Sequence, residues 1–382
     1  MKKLLAIILA LCLALSLAAC SASESVEGYE ETPAPSAELS ATAKFDNAFA
    51  AYDADAVVMT VDGSEVTWGE FFYWCYYICN YLETYMGTID DYGTLSGLDE
   101  TSTYADYVIA SAEDMAVQYH ALEVGTKEAG VVLSEDSLQS IQDLIESDIV
   151  SCCGEGATEE DLYEYLAGVY VTPETYSYIN TVSCLYTDGF DQLFGKMGAD
   201  VTDEDAMAFA EENGYITAKH ILISNTDAEG AALDETALAA AGELAADIQA
   251  QIAAVADPTA RVELFNELMA EYNSDTAENY YPAGYCFAEG EMVAEFYDAA
   301  AALEEYGVSD VVETDYGWHI ILRMPTTPDD VVSYEGEDAQ YTLRYYTANA
   351  AYDAKVNGWL ENAEVVWTDE FADLDLAAIL VA

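Results

Sequence analysis

Two short runs of β-forming residues constrain this chain more than any other feature: Lys219-His220-Ile221-Leu222-Ile223 and Tyr316-Gly317-Trp318-His319-Ile320-Ile321-Leu322. They lie about a hundred residues apart, and each carries one of only three histidines in 382 residues. Each reads as a strand. Between them the period switches to helical. An alanine-rich stretch from Thr236 to Val255 carries the stripe Leu238, Ala241, Ala245, Ile248, Ile252 and Val255. Asp257-Pro258 then opens a second helix, with Val262, Phe265, Leu268 or Met269, and Tyr272 as its stripe. A short strand near Tyr285-Cys286-Phe287, a helix from Met292 to Leu303, and strands over Val308–Thr314 and Trp318–Met324 follow. The order β-α-α-β-α-β-β predicts an α+β domain with a mainly antiparallel sheet over residues 215–326.

The residues before Gly214 read differently. Ala56–Val61, Asp62-Gly63 and Ser64-Glu65-Val66 predict a tight hairpin. Thr67 with Glu70 predicts a capping box for a helix from Trp68 to Met86 that is dense in aromatics, better read as core than as a binding face. Further starts at Ser134, Thr158, Thr172-Pro173 and Thr202 make 52–214 a mostly helical lobe. His120, inside one of these helices, reads as a packed or surface residue. After Pro325 and Pro328 the chain predicts a helix over 335–362 and a last strand, Glu364–Thr368. A lone strand needs a partner, so the expected tail, 327–382, returns to the hairpin at 56–61 and leaves the α+β domain as an insertion.

Residues 1–20 read as an export signal: Lys2 and Lys3, then an apolar run from Leu4 to Leu17 too short for a comfortable membrane span. Leu17-Ala18-Ala19-Cys20 resembles the bacterial lipobox, which implies diacylglycerol on Cys20; an ordinary secretory signal with a chance cysteine is the alternative. Residues 21–51, rich in Ser, Ala, Glu, Thr and Pro, predict an extended disordered tether. The chain has 73 acidic and 10 basic residues, a net charge of −63. Such a surface argues against nucleic acid, since phosphate requires Lys and Arg, and against lying flat on an anionic bilayer. Cys75, Cys79, Cys152, Cys153, Cys184 and Cys286 show no metal-ligand spacing with supporting histidines and read as buried small hydrophobes, although disulfides are open to an exported protein.

Five pieces of residues 215–325, in order, resemble the parvulin-type peptidyl-prolyl cis/trans isomerases: Lys219-His220-Ile221-Leu222; Tyr272-Asn273-Ser274-Asp275; the segment 281–287; Gly290-Glu291-Met292-Val293-Ala294-Glu295-Phe296; and Thr314 to Ile321. The third departs from the family's G-G-x-L-G-x-F, reading Tyr281-Pro282-Ala283-Gly284-Tyr285-Cys286-Phe287. The resemblance implies an FKBP-like antiparallel sheet with surrounding helices. It implies that His220 and His319 form a hydrogen-bonded pair on the floor of the site, with Asp275 near the twisting carbonyl. Met292 and Phe296 would line the proline pocket, one helix face presenting both, with Phe287 and Tyr316 beside them. The alternatives are a structural histidine pair, ordinary core packing for Met292 and Phe296, and a loop cap at Asp275.

The architecture as a whole resembles the lipid-anchored PrsA-like foldases of Gram-positive bacteria, a helical lobe of the PrsA/SurA chaperone kind around one isomerase domain. That implies an extracytoplasmic enzyme, held by lipid on Cys20 at the outer face of the cell membrane, acting on X-Pro bonds of unfolded or newly exported proteins. No cofactor or metal is expected. The rival reading is a non-catalytic holdase with a degenerate parvulin domain.

Overall fold

The computed structural model describes residues 43–98, 101–228, 230–335 and 339–381. The expected signal segment, most of the tether, and Cys20 lie outside them. The chain divides into two compact units, one made of residues up to Gln192 together with Asp353 onward, the other of Leu193–Tyr352. No helix among the described residues is long and apolar enough to cross a membrane.

The first unit begins earlier than composition suggests. Helix α1 (Ala43–Phe49) buries Lys44, Phe45 and Ala48, so the last part of the expected tether is folded. Phe45 and Phe49, four apart, supply an apolar face that the average over residues 21–51 hides. Strands β1 (Val57–Val61) and β2 (Ser64–Thr67) form a hairpin. Asp62 and Gly63 both take positive φ, 50° and 82°, the turn whose twist matches the flanking strands. Helix α2 (Trp68–Met86) buries Trp68, Phe71, Phe72 and Trp74 in the core. Burial of each such ring stabilises by about 2–3 kcal/mol. Thr67 caps α2 by accepting from the Glu70 N–H, but the Glu70 side chain does not complete the box. It turns inward to Trp74 and His120.

Helices α3 (Tyr104–Glu128), α4 (Glu135–Asp148), α5 (Glu159–Ala167) and α6 (Pro173–Phe194) follow. Ser134 and Thr158 cap α4 and α5 by accepting from the third residue's N–H, and Thr172 accepts from Thr175 N–H at the start of α6.

In the second unit, α7 (Asp203–Asn213) ends at Gly214 and leads into β3 (Ile216–Ser224). Helices α8 (Glu235–Ala253) and α9 (Pro258–Tyr272), strand β4 (Tyr285–Phe287), helix α10 (Ala294–Ala301), and strands β5 (Val312–Thr314) and β6 (Gly317–Met324) complete the α+β motif. The sheet order is β4-β3-β6-β5 and every neighbouring pair is antiparallel. Alternation along β3 and β6 sorts the side chains. Ile221, Ile223, Ile320 and Leu322 pack with Ala245, Ile248, Ile252 and Phe265 of α8 and α9. The opposite face carries Ala218 and Ile321 against Phe287 and Phe296; His220 and His319 share that face.

Two readings of the sequence need correction here. Glu335 and residues 339–342 are strand rather than helix: β7 (Val331–Glu335) pairs antiparallel with β8 (Ala339–Thr342), and helix α11 starts only at Leu343, running to Asn362. The β-branched and aromatic residues Val331, Val332, Tyr334, Tyr341 and Thr342 outweigh the helical spacing seen further on. Thr342 then accepts from the Tyr345 N–H and starts the helix. This hairpin belongs to the packing of the second unit, because Thr217 donates to Asp330 at 2.5 Å and Leu343 is buried with Cys286 and Ala210. The second correction concerns Met292, which precedes α10 rather than sitting within it.

Back in the first unit, β9 (Val365–Trp367) pairs antiparallel with β1, Met59 opposite Trp367, giving the order β2-β1-β9. A short helix, α12 (Leu376–Ile379), closes the described chain, and Phe371, just before it, stacks on Trp68 at 5.7 Å.

Candidate active site

The register of β3 and β6 sets His220 opposite Ile321 and His319 opposite Leu222. The two histidines are therefore diagonal neighbours on one face, and both are buried. Their Nδ1 atoms lie 3.0 Å apart. His220 Nε2 is 2.9 Å from Asp275 Oδ2, and His319 Nε2 is 2.9 Å from Thr314 Oγ1. Asp275 comes from the loop after α9, which is tied to β3 at Leu222. Asn273 Oδ1 accepts from Leu222 N–H at 2.8 Å, and Ser274 N–H donates to Leu222 O at 2.9 Å. The second motif therefore does structural work: Asn273 fixes the strand-to-loop geometry that aims Asp275 at His220.

One arrangement of protons satisfies these contacts with both rings neutral. Asp275 accepts, so His220 carries its proton on Nε2 and offers a lone pair at Nδ1. His319 then donates from Nδ1 and accepts at Nε2 from the Thr314 hydroxyl, whose oxygen accepts from the Tyr316 N–H at 3.1 Å. Two neutral imidazoles and one carboxylate satisfy every partner. Hydrogen bonding from His220, then from Tyr285 and the Ala277 N–H, holds the Asp275 carboxyl well below the usual range against the opposing effect of burial. Burial first, and the neighbouring His220 second, push His319 down to about 4 against the pull of Asp275. The ring of Phe296 stands edge-on to both imidazoles, at centroid distances of 5.3 and 5.4 Å. Phe287 touches Phe296 at 5.6 Å, and Met292 packs into the same cluster. Met292 and Phe296 thus converge, though Met292 does so from the approach to α10 rather than from its face.

Tyr316 stands apart. Its side chain is 61% exposed at the turn between β5 and β6, and its backbone, rather than its ring, joins the hydrogen-bonded chain. Thr314, Asn273 and Tyr285 are participants that the motifs did not single out as site residues. The segment 281–287, which departs from the family pattern, still forms β4 and delivers Phe287 and Tyr285 to the site. Gly284 enables this with φ 110°, where a Cβ would stand 2.8 Å from the Ala218 carbonyl oxygen. Cys286, pointing elsewhere, is buried and its thiol is pushed up to about 12, mainly by burial. It is not a nucleophile.

His120 lies in the first unit, 2% exposed. Its Nε2 faces both Glu70 oxygens at 3.1 and 3.2 Å, its Nδ1 is 2.8 Å from Ser64 Oγ, and Tyr178 covers its ring at 4.8 Å. It is a packed histidine, as expected.

Residues 220–324 match the Rotamase family model, described as the PPIC-type PPIASE domain. Over 140 residues the chain is 33% identical to the foldase protein PrsA of Oceanobacillus iheyensis, covering 36% of this chain and 39% of that one. It is 34% identical over 131 residues to the foldase protein PrsA of Halalkalibacterium halodurans, covering 33% and 32%. The match thus spans about a third to two-fifths of the length of these curated relatives. Among solved structures the chain is similar to PrsA from Bacillus subtilis at 19% identity, covering 86% of this chain and 98% of that chain with a TM-score of 0.26.

Proposed function

We propose that this protein is a peptidyl-prolyl cis/trans isomerase and foldase that acts outside the cytoplasm on unfolded or newly exported proteins. Its isomerase domain, 215–326, lies within the second unit, Leu193–Tyr352, the helical first unit would hold unfolded clients, and lipid on Cys20 anchors the protein to the outer face of the membrane. The observation that carries the reading is the Asp275–His220–His319–Thr314 chain beneath Phe296, within the segment that matches the isomerase family model.

The barrier to X-Pro rotation, about 18–20 kcal/mol, comes from amide resonance. Lowering it requires a site that fits the twisted amide better than either planar form. Half-buried Met292 would meet the pyrrolidine ring over an apolar base made by the buried rings of Phe296 and Phe287, which keeps water from the carbonyl. In the planar amide the carbonyl oxygen is more negative and the nitrogen more positive; twisting returns the pair to nitrogen. The charge of Asp275, held ionised, disfavours the polarised planar form next to the carbonyl. The neutral imidazoles hold Asp275 in place without adding a cation that would cancel its effect. Tyr316 would bind the flanking peptide from the rim.

A protease-free isomerisation assay on a short proline-containing peptide tests this. Wild type should be active, with Asp275→Ala and His220→Ala strongly reduced. Wild-type inactivity alongside retained suppression of aggregation would leave a holdase. Lipid on Cys20 is tested by metabolic palmitate labelling, lost in Cys20→Ser.

A further inference from the structure

We infer that Tyr285 is a positioning residue of the site, acting through Asp275; the inference rests on the isomerase reading above. Tyr285 sits on β4, in the stretch that departs from the family pattern. Its hydroxyl donates to Asp275 Oδ2 at 2.7 Å, the same oxygen that accepts from His220 Nε2 at 2.9 Å. The other oxygen, Oδ1, accepts from the Ala277 N–H at 2.9 Å. The carboxylate is therefore gripped from three directions: strand β3, strand β4 and its own loop. The Tyr285 ring also meets the His220 ring nearly edge-on, at 5.5 Å and 77°, and Tyr281 packs against it at 4.5 Å.

Two donors on one oxygen fix its position in two dimensions where one would allow it to swing. An Asp275 fixed in this way keeps His220 in the tautomer whose lone pair faces His319. The third motif has thus changed its residues while contributing a hydrogen bond to the site. Tyr285 touches neither the reacting amide nor the prolyl ring in this account; it holds the group that does.

Tyr285→Phe keeps the ring and removes one oxygen. On a short proline-containing peptide, kcat should fall about tenfold with KM unchanged, because the aromatic wall remains. The imidazole ¹⁵N signals of His220 should shift in the same protein, with Tm near that of wild type. In an Asp275→Asn background the added Tyr285→Phe change should cost little more. An active wild type with unaltered kcat and unaltered histidine signals in Tyr285→Phe overturns the inference and leaves the isomerase reading standing. An inactive wild type overturns the isomerase reading, and the histidine signals then decide alone: shifted supports the positioning role, unshifted removes it. Should the variant not fold, the wild type still decides through a nuclear Overhauser contact between the Tyr285 ring and the His220 Nε2 proton, whose absence overturns the proposal.

Discussion

The molecule buries histidine in two ways. In the first unit one ring, His120, is set between a carboxylate and a hydroxyl. Glu70 faces Nε2, and Ser64, whose hydroxyl donates to Glu123 at 3.3 Å, faces Nδ1 with its oxygen. Both ring nitrogens are thus tied, one to α2 and one to the hairpin. In the second unit two rings share one carboxylate and point nitrogen to nitrogen, so both are satisfied neutral. The difference separates a brace from a candidate site: His120 ties two helices and a hairpin together, whereas the His220–His319 pair makes a polar floor beneath Phe296.

The contrast can be broken most forcefully at His120. His120→Ala should destabilise the protein by about 3–5 kcal/mol, because a packed ring is removed and Glu70 and Ser64 lose a buried hydrogen-bond partner. Denaturant unfolding reads the loss, while kcat/KM per folded molecule should hold; a parallel loss of turnover would erase the division between brace and site.

Acid should act on the second unit. His319 titrates near 4 in the fold against an ordinary value of 6.5, so the unfolded chain binds its proton first as pH falls. Stability contributed there is complete above about pH 6.5 and is lost progressively down to about pH 4, by up to about 3 kcal/mol. The slope of unfolding free energy against pH across that window, compared with His319→Gln, checks it, and equal slopes would refute the neutral pair.

Asp275→Ala should reduce kcat/KM about ten- to a hundredfold, equivalent to about 1.4–2.7 kcal/mol, with little change in the first unit's stability. Smallest of all, Thr314→Val removes the hydroxyl that donates to His319 and should cost about 1 kcal/mol of stability. It should lower turnover only a few-fold; a larger drop would give Thr314 a more direct part than tautomer control.

Legibility in the sequence followed the range of the forces involved. Local rules carried the caps at Ser134, Thr158 and Thr202, the Asp62-Gly63 turn, and the bounds of β3. Their signals lie within a few residues, and the same strand pattern put His220 and His319 on candidate strands. The return of the tail strand to β1 was legible too, because a lone strand needs a partner, but long-range side-chain pairing escaped. Glu70 looked like a capping partner, yet its carboxylate is drawn to a histidine fifty residues on. The 331–342 hairpin was hidden by the helix that follows it, and Met292 was carried into α10 by spacing alone although Val293 starts that helix without a side-chain cap. Tyr285 could be found only by asking what the departures in 281–287 supply, and Tyr316 was placed by motif although the turn leaves it largely in water.

The three-stranded sheet of the first unit sets a schedule for folding. β1 has one partner a few residues away and its other, β9, about three hundred residues later, with the Glu364 N–H donating to Asp62 across the same span. As the polypeptide emerges from its N-terminal side, that central strand must wait with one edge open while the entire inserted unit is made and can close by itself. Long-separation pairing is slow to nucleate, so an unfinished chain presents a raw edge and an incomplete aromatic core until its last stretch arrives.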